Sequence, residues 1–106
     1  MSSMIVIWAP SAIEARNQVA DYIRLRFGSK RKTRFLQDVR ETIQLLKSNP
    51  SIGQIDPLFD NRTIAYRSVI INGLNKLVYT IEGETINVVA FWDTRREPKS
   101  IVNETK

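Results

Sequence analysis

Asn72-Gly73 is the feature of this sequence that most constrains its fold. A two-residue type I′ turn needs both central residues at positive φ, a demand that Asn and Gly meet, so the dipeptide predicts a tight β-hairpin. The flanking segments agree. Residues 63–71 and 75–81 are rich in Ile, Val and Tyr, and their apolar positions follow a two-residue period. Glu82-Gly83 marks a second, less sharply defined turn, and residues 85–92 supply the third strand of a meander.

The half of the chain before the meander has a different period. Residues 4–8 (Met-Ile-Val-Ile-Trp) are β-branched and aromatic and predict a buried strand. Ser11 and Glu14 have the spacing of a helical capping box. Ala12, Ala15, Val19, Tyr22 and Ile23 then recur at helical spacing until Gly28, a predicted stop. Ser29 is the predicted cap of a second helix whose apolar stripe is Phe35, Leu36, Val39, Thr42, Ile43 and Leu46, ended by Asn49-Pro50. Joined by about two residues, the helices form an antiparallel hairpin. Residues 51–60 contain Gly53 and Pro57 and read as a loop with room for a short edge strand.

The order is therefore β-α-α-β-β-β(-β). The expected fold class is α+β, in two layers, with the N-terminal helical hairpin packed on one face of a mainly antiparallel sheet. The 106 residues make one domain, and the polar stretch 96–106 is expected to fray.

Composition limits the chemistry. There is no cysteine, which excludes disulfides, thiolate nucleophiles and zinc–thiolate sites. There is no histidine either, so catalysis would fall to Lys, Arg, Asp, Glu, Tyr, Ser or Thr, and no metal or cofactor is expected. The net charge of +5 favours a polyanionic target or an acidic partner protein, although many basic proteins have neither. Residues 4–9 are too short for a signal h-region and no segment reaches the length of a membrane span, so the cytoplasm is the expected location.

Two groups of cations stand out. If both turns hold two residues, Ile71 faces Leu74, Val69 faces Lys76 and Arg67 faces Val78. Ile64, Tyr66, Ile70, Leu77, Tyr79, Ile81, Ile86, Val88, Ala90 and Trp92 then share the core face. Arg67, Lys76, Asp93 and Arg95 gather on the opposite, open face beside Val69, Val78, Val89 and Phe91. Cations beside exposed apolar side chains mark a binding surface, whereas isolated ones are ordinary solvation. A slip of one residue in either turn would scatter the set. The second group is Arg24, Arg26, Lys30, Arg31, Lys32, Arg34 and Arg40 on the helical hairpin. Several of these lie at the start of the second helix, where the helix dipole disfavours them. Lys30, Arg31, Lys32 and Arg34 are candidate nucleic-acid contacts, against the plainer reading of a solvated helix surface.

Taken in order, several pieces give the chain its resemblance to the RelE/ParE superfamily of toxins from type II toxin–antitoxin (plasmid stabilisation) systems. These are the Ile5–Trp8 strand before an Ala-rich helix, Leu45-Leu46-x-x-Asn-Pro-x-Ile-Gly ending at Gly53, and the Tyr66-Arg67 pair. Lys76-Leu77-Val78-Tyr79-Thr80-Ile81 and Asp93-Thr94-Arg95-Arg96-Glu97-Pro98 complete them, so the resemblance spans roughly residues 4–98. It implies a first strand docked beside the last and an acidic antitoxin whose C-terminal segment wraps the toxin, covering Val69, Val78 and Phe91. It also implies one of two activities: a metal-independent, ribosome-dependent mRNA endoribonuclease, or inhibition of DNA gyrase. For the RNA-cleaving group, the resemblance places catalytic cations at Arg67, Lys76 and Arg95, with Arg96 as a further nucleic-acid contact. Arg67 and Arg95 would hold phosphate oxygens and Lys76 would assist proton transfer. The chain departs from that group in having Val69 where a second cation is expected and no Tyr or His after Arg96. Asp93 or Glu97 would then have to serve as acid/base. The alternatives are gyrase inhibition without catalysis and a member that only binds its antitoxin.

Overall fold

The computed structural model describes residues 4–59 and 63–94. Its elements are β1 (Ile5–Trp8), α1 (Pro10–Phe27), α2 (Ser29–Ser48), β2 (Gln54–Ile55), β3 (Arg67–Ile71), β4 (Asn75–Glu82) and β5 (Thr85–Asp93), with 3₁₀ turns at Pro50–Ile52 and Pro57–Phe59. The strands form one sheet in the order β1-β5-β4-β3-β2. β1 runs parallel to β5, with Ile5 opposite Thr85, and every other pair is antiparallel. The two helices pack on one face. This is the expected α+β architecture, with the first strand beside the last.

The start of α1 differs from the capping-box expectation. Ala9 is the N-cap and Pro10 the first helical residue, with no side-chain cap. The sheet sets this position. Ala9 N–H continues the β1–β5 ladder by donating to Val88 O at 2.8 Å, while Ala9 O accepts from Ala12 and Ile13 N–H at 2.9 and 3.0 Å. Pro10 suits the first turn because it has no N–H to satisfy there. Ser11 is thus one residue inside the helix. Gly28 alone joins the helices at φ 97, and Ser29 opens α2 without a side-chain cap bond.

The helix-side core holds Ala12 and Ala20 of α1, Phe35, Val39 and Leu46 of α2, and Ile71, Leu77, Tyr79, Ile86, Val88 and Phe91 of the sheet. The small alanines bring α1 close to the sheet. Each large side chain buried here contributes about 1.5–3 kcal/mol. Phe91 anchors the layer, edge-on to Phe35 at 6.1 Å and 6.3 Å from Trp8.

Two one-residue irregularities rearrange the sheet faces. Asn72 and Gly73 do take positive φ, and Leu74 N–H bonds Ile71 O at 3.2 Å. The ladder nevertheless begins with Ile71 opposite Asn75, which leaves Leu74 as an extra residue. Leu74 O turns instead to accept from Thr94 N–H at 2.8 Å beyond β5. The second irregularity breaks the β4–β5 register between Val78 and Tyr79: Val78 pairs with Ala90 and Tyr79 with Val88, so Val89 is bulged. Ala90 and Trp92, expected in the helix-side core, therefore lie on the other face, and Phe91 moves into that core.

The second face is not open as expected. Leu58 and Phe59, from the segment after β2, close over Tyr66, Val78, Val89, Ala90 and Trp92 to make a smaller second core. Phe59 stacks on Tyr66 with ring centroids 4.8 Å apart. Of the apolar residues expected to be exposed there, Val78 and Phe91 are buried, and Val69 packs half-buried against the helix-side core.

Candidate functional site

Arg67 opens β3 opposite Tyr79, on the helix side of the sheet. Both side chains reach the turn that follows α2. Arg67 Nη1 donates to Gly53 O at 2.8 Å and to Ser51 O at 3.3 Å. Tyr79 Oη donates to Pro50 O at 2.6 Å and accepts from Gly53 N–H at 3.0 Å. Burial pushes the Tyr79 hydroxyl pKa up, against the opposing effects of the Gly53 N–H and the Arg67 charge. The phenol therefore stays neutral and can donate. Gly53 has an ordinary φ of −71, so its need for glycine is steric. An added Cβ would lie 2.7 Å from Tyr79 Oη and 2.9 Å from Ser68 O. The Asn-Pro-x-Ile-Gly run, Arg67 and Tyr79 thus form one clamp that holds the end of α2 against β3 and β4.

Lys76 stands on the opposite face. It pairs with Ile70 and Trp92 across the sheet, and its Nζ lies 5.5 Å from the Trp92 ring centroid. Its partner is Asp56, whose Oδ2 is 2.6 Å from Nζ. The Asp56 side chain is 0 % exposed and that of Lys76 19 %. Asp56 is positioned by its own backbone. Its N–H bonds Tyr66 O at 2.8 Å, its Oδ1 accepts from Leu58 N–H at 2.9 Å, and its carbonyl accepts from Phe59 N–H at 3.1 Å. It thereby caps the 3₁₀ turn that begins at Pro57. Burial raises the carboxyl pKa, but the Lys76 ammonium, the Leu58 N–H and the Ser68 hydroxyl outweigh it and hold the group below the usual carboxylate range. A cavity of about 590 Å³ opens beside the pair between Leu45, Ile52, Ile55, Ser68 and Ile70. The ammonium at its wall is already neutralised.

The expected cationic cluster is thus corrected. The slip at Leu74 sends Arg67 and Lys76 to opposite faces of the sheet. Asp93 pairs with Asn75 at the end of β5 and borders a cleft with Val19, Tyr22 and Phe91 beside α1, away from Lys76. Arg95, Arg96, Glu97 and the tail lie outside the described residues. On the helical hairpin, Lys30 and Arg31 are exposed, whereas Lys32 pairs with Asp21 at 3.9 Å and Arg34 with Asp38 at 3.0 Å. Asp56 is the residue that sequence reasoning passed over. Its signal was Asp-Pro, a capping residue before the proline of a first turn. Among the described residues no group of His, Cys, Asp and Glu could hold a metal ion, and no helix is long and apolar enough to cross a membrane.

A helical hairpin laid on a five-stranded mixed sheet, with the first strand parallel to the last, is the fold expected from the resemblance to the RelE/ParE superfamily. The family model of the ParE toxin of type II toxin–antitoxin (parDE) systems matches residues 6–98, and the chain belongs to that family. Similar solved structures include one described as the chromosomal ParDE TA system from P. aeruginosa. It has a TM-score of 0.68 at 15 % identity, covering 85 % of this chain and 95 % of that one. Another is the YoeB dimer from Staphylococcus aureus, with a TM-score of 0.59 at 20 % identity, covering 90 % of this chain and 100 % of that one. At these identities the likeness is one of fold. A sequence comparison with curated proteins finds no match.

Proposed function

We propose that this toxin acts by binding DNA gyrase rather than by cleaving RNA, and that an acidic antitoxin holds it in check. The observation that carries the reading is the separation of Arg67 from Lys76. RNA cleavage by fixed cations needs at least two of them converging on one phosphate, where they stabilise the charge that develops in the transition state. Here Arg67 is spent on the carbonyls of Ser51 and Gly53, and Lys76 on the buried carboxylate of Asp56, across the thickness of the sheet. Lys76 is neutralised by Asp56, and the Arg67 guanidinium, which meets only neutral carbonyls, is held on the other side of the sheet, so the two cations do not converge on one phosphate. The family match favours the same branch. The net charge of +5 suits an acidic antitoxin.

The test is induced expression of the full chain in bacterial cells, with plasmid supercoiling and RNA ends read from the same cultures. Loss of negative supercoiling and DNA damage, without new cleavage ends in translated mRNA, is the expected outcome. Cleavage ends clustered in translated codons, with supercoiling unchanged, would overturn the reading.

A further inference from the structure

The tip of the helical hairpin carries charge that the fold does not use. Residues 24–31 are all exposed. They hold Arg24 and Arg26 in the last turn of α1 and Lys30 and Arg31 in the first turn of α2, on either side of Gly28. Among the described residues, no carboxylate lies within salt-bridge distance of these four, whereas the neighbouring Lys32 and Arg34 are paired with Asp21 and Asp38. Between them stand exposed apolar side chains: Tyr22, Leu25 and Phe27. Two guanidiniums are held over rings. Arg26 Cζ is 5.8 Å from the Tyr22 centroid, and Arg31 Cζ is 5.2 Å from that of Phe27. Stacking orders a long side chain while leaving its donors free. The pair at the start of α2 sits where the helix dipole opposes cations, so local stability does not account for it.

We infer that Arg24, Arg26, Lys30 and Arg31 form a contact surface for the phosphate backbone of duplex DNA. The shape selects among polyanions. Acidic peptide segments dock in grooves that bury their apolar side chains, whereas these four cations stand on exposed helix ends on either side of Gly28. A projecting tip of four unpaired cations fits the regularly spaced phosphates of a duplex, a contact that positions the protein without reading sequence. The inference deepens the gyrase reading by placing the toxin on the DNA that gyrase handles. It is tested without gyrase, so its failure would leave that reading standing.

The experiment titrates the purified full chain into a labelled duplex of about 20 base pairs and follows anisotropy across a salt series. The variant R24Q/R26Q/K30Q/R31Q is compared with R40Q/K47Q, which removes cations from α2 outside the tip. Thermal melting checks that both are folded. Each phosphate contact adds about −0.9 to the slope of log K against log salt, so removing four cations is expected to cost about 3.6 of slope and at least about ten-fold in affinity near 0.1 M salt. The control should change little. If the four-fold variant does not fold, R24Q/R26Q and K30Q/R31Q are each expected to lose about half of that slope. Affinity unchanged in the tip variants would overturn the proposal. So would polyglutamate that competes with the duplex at equal charge, since the occupant would then be an acidic protein.

Discussion

Lys76 Nζ lies 2.6 Å from Asp56 Oδ2, and this ion pair fastens the segment after β2 onto the second face of the sheet. The carboxylate is fully buried and caps the turn that carries Leu58 and Phe59 into the smaller core. Removing one partner of a buried pair leaves the other charge uncompensated, which typically costs about 3–5 kcal/mol. Lys76→Met is therefore expected to lower unfolding stability by about 3 kcal/mol in a denaturant titration. A loss well under 1 kcal/mol would mean that the pair does not hold the segment.

The same pair makes stability depend on pH in a definite direction. Asp56 titrates below its ordinary value of 3.8 in the folded protein. The folded state therefore releases this proton more readily than the unfolded chain does. The stabilisation is complete above the unfolded value and is lost as pH falls through the folded one. Stability measured from pH 7 down to pH 3 should fall below about pH 4 in the parent and less steeply in Asp56→Asn. Parallel curves for the two proteins would contradict the assignment.

Gly53 and Tyr79 make a second test. Gly53→Ala drives a methyl group against Tyr79 Oη and Ser68 O, and an overpacked site of this kind costs about 1–3 kcal/mol. Tyr79→Phe removes two hydrogen bonds and leaves Pro50 O and Gly53 N–H to find other partners, at about 1–3 kcal/mol. Combining them relieves part of the clash, so the double variant should lose less than the sum of the two single losses. A double-mutant cycle by chemical denaturation reads this coupling, and simple additivity would contradict the clamp.

The hairpin turn separates a backbone effect from a side-chain effect. Asn72 sits at φ 58 and its Nδ2 donates to Asp38 Oδ2 at 2.8 Å, tying the turn to α2. Asn72→Gly keeps the backbone and loses only this bond. Asn72→Ala loses the bond and takes on about 1–2 kcal/mol of left-handed strain. Thermal melting should therefore rank the parent above the Gly variant and the Gly variant above the Ala variant, and an Ala variant as stable as Gly would contradict the positive φ.

Much of this fold was legible because its signals are local. Helical spacing marked both helices, Gly28 marked the break between them, and Asn72-Gly73 marked the hairpin. The faces of the sheet were not legible. Val88-Val89-Ala90-Phe91-Trp92 is an unbroken apolar run with no alternation to specify register, and both of its faces turn out to be buried. Neither the bulge at Val89 nor the extra residue at Leu74 has a sequence mark, and each reverses the faces beyond it. The capping box at Ser11 misled because a tertiary bond, Ala9 N–H to Val88 O, decides where α1 begins. Gly53, Arg67 and Tyr79 stand in three separate motifs of the sequence, and nothing local marks that they meet, while Tyr66 stacks on Phe59 in the second core. The contacts of Gly53, Arg67 and Tyr79 join them in one clamp on the turn after α2.

The central claim is that Lys76 serves the fold and not a reaction. It is tested by expressing the paired variant D56N/K76Q, which keeps two polar side chains of similar size in place of the ion pair, and measuring growth arrest and plasmid supercoiling at matched levels of soluble, folded protein. Growth arrest and supercoiling loss like those of the parent are the expected result. A folded variant that no longer arrests growth would contradict the claim and return Lys76 to the chemistry.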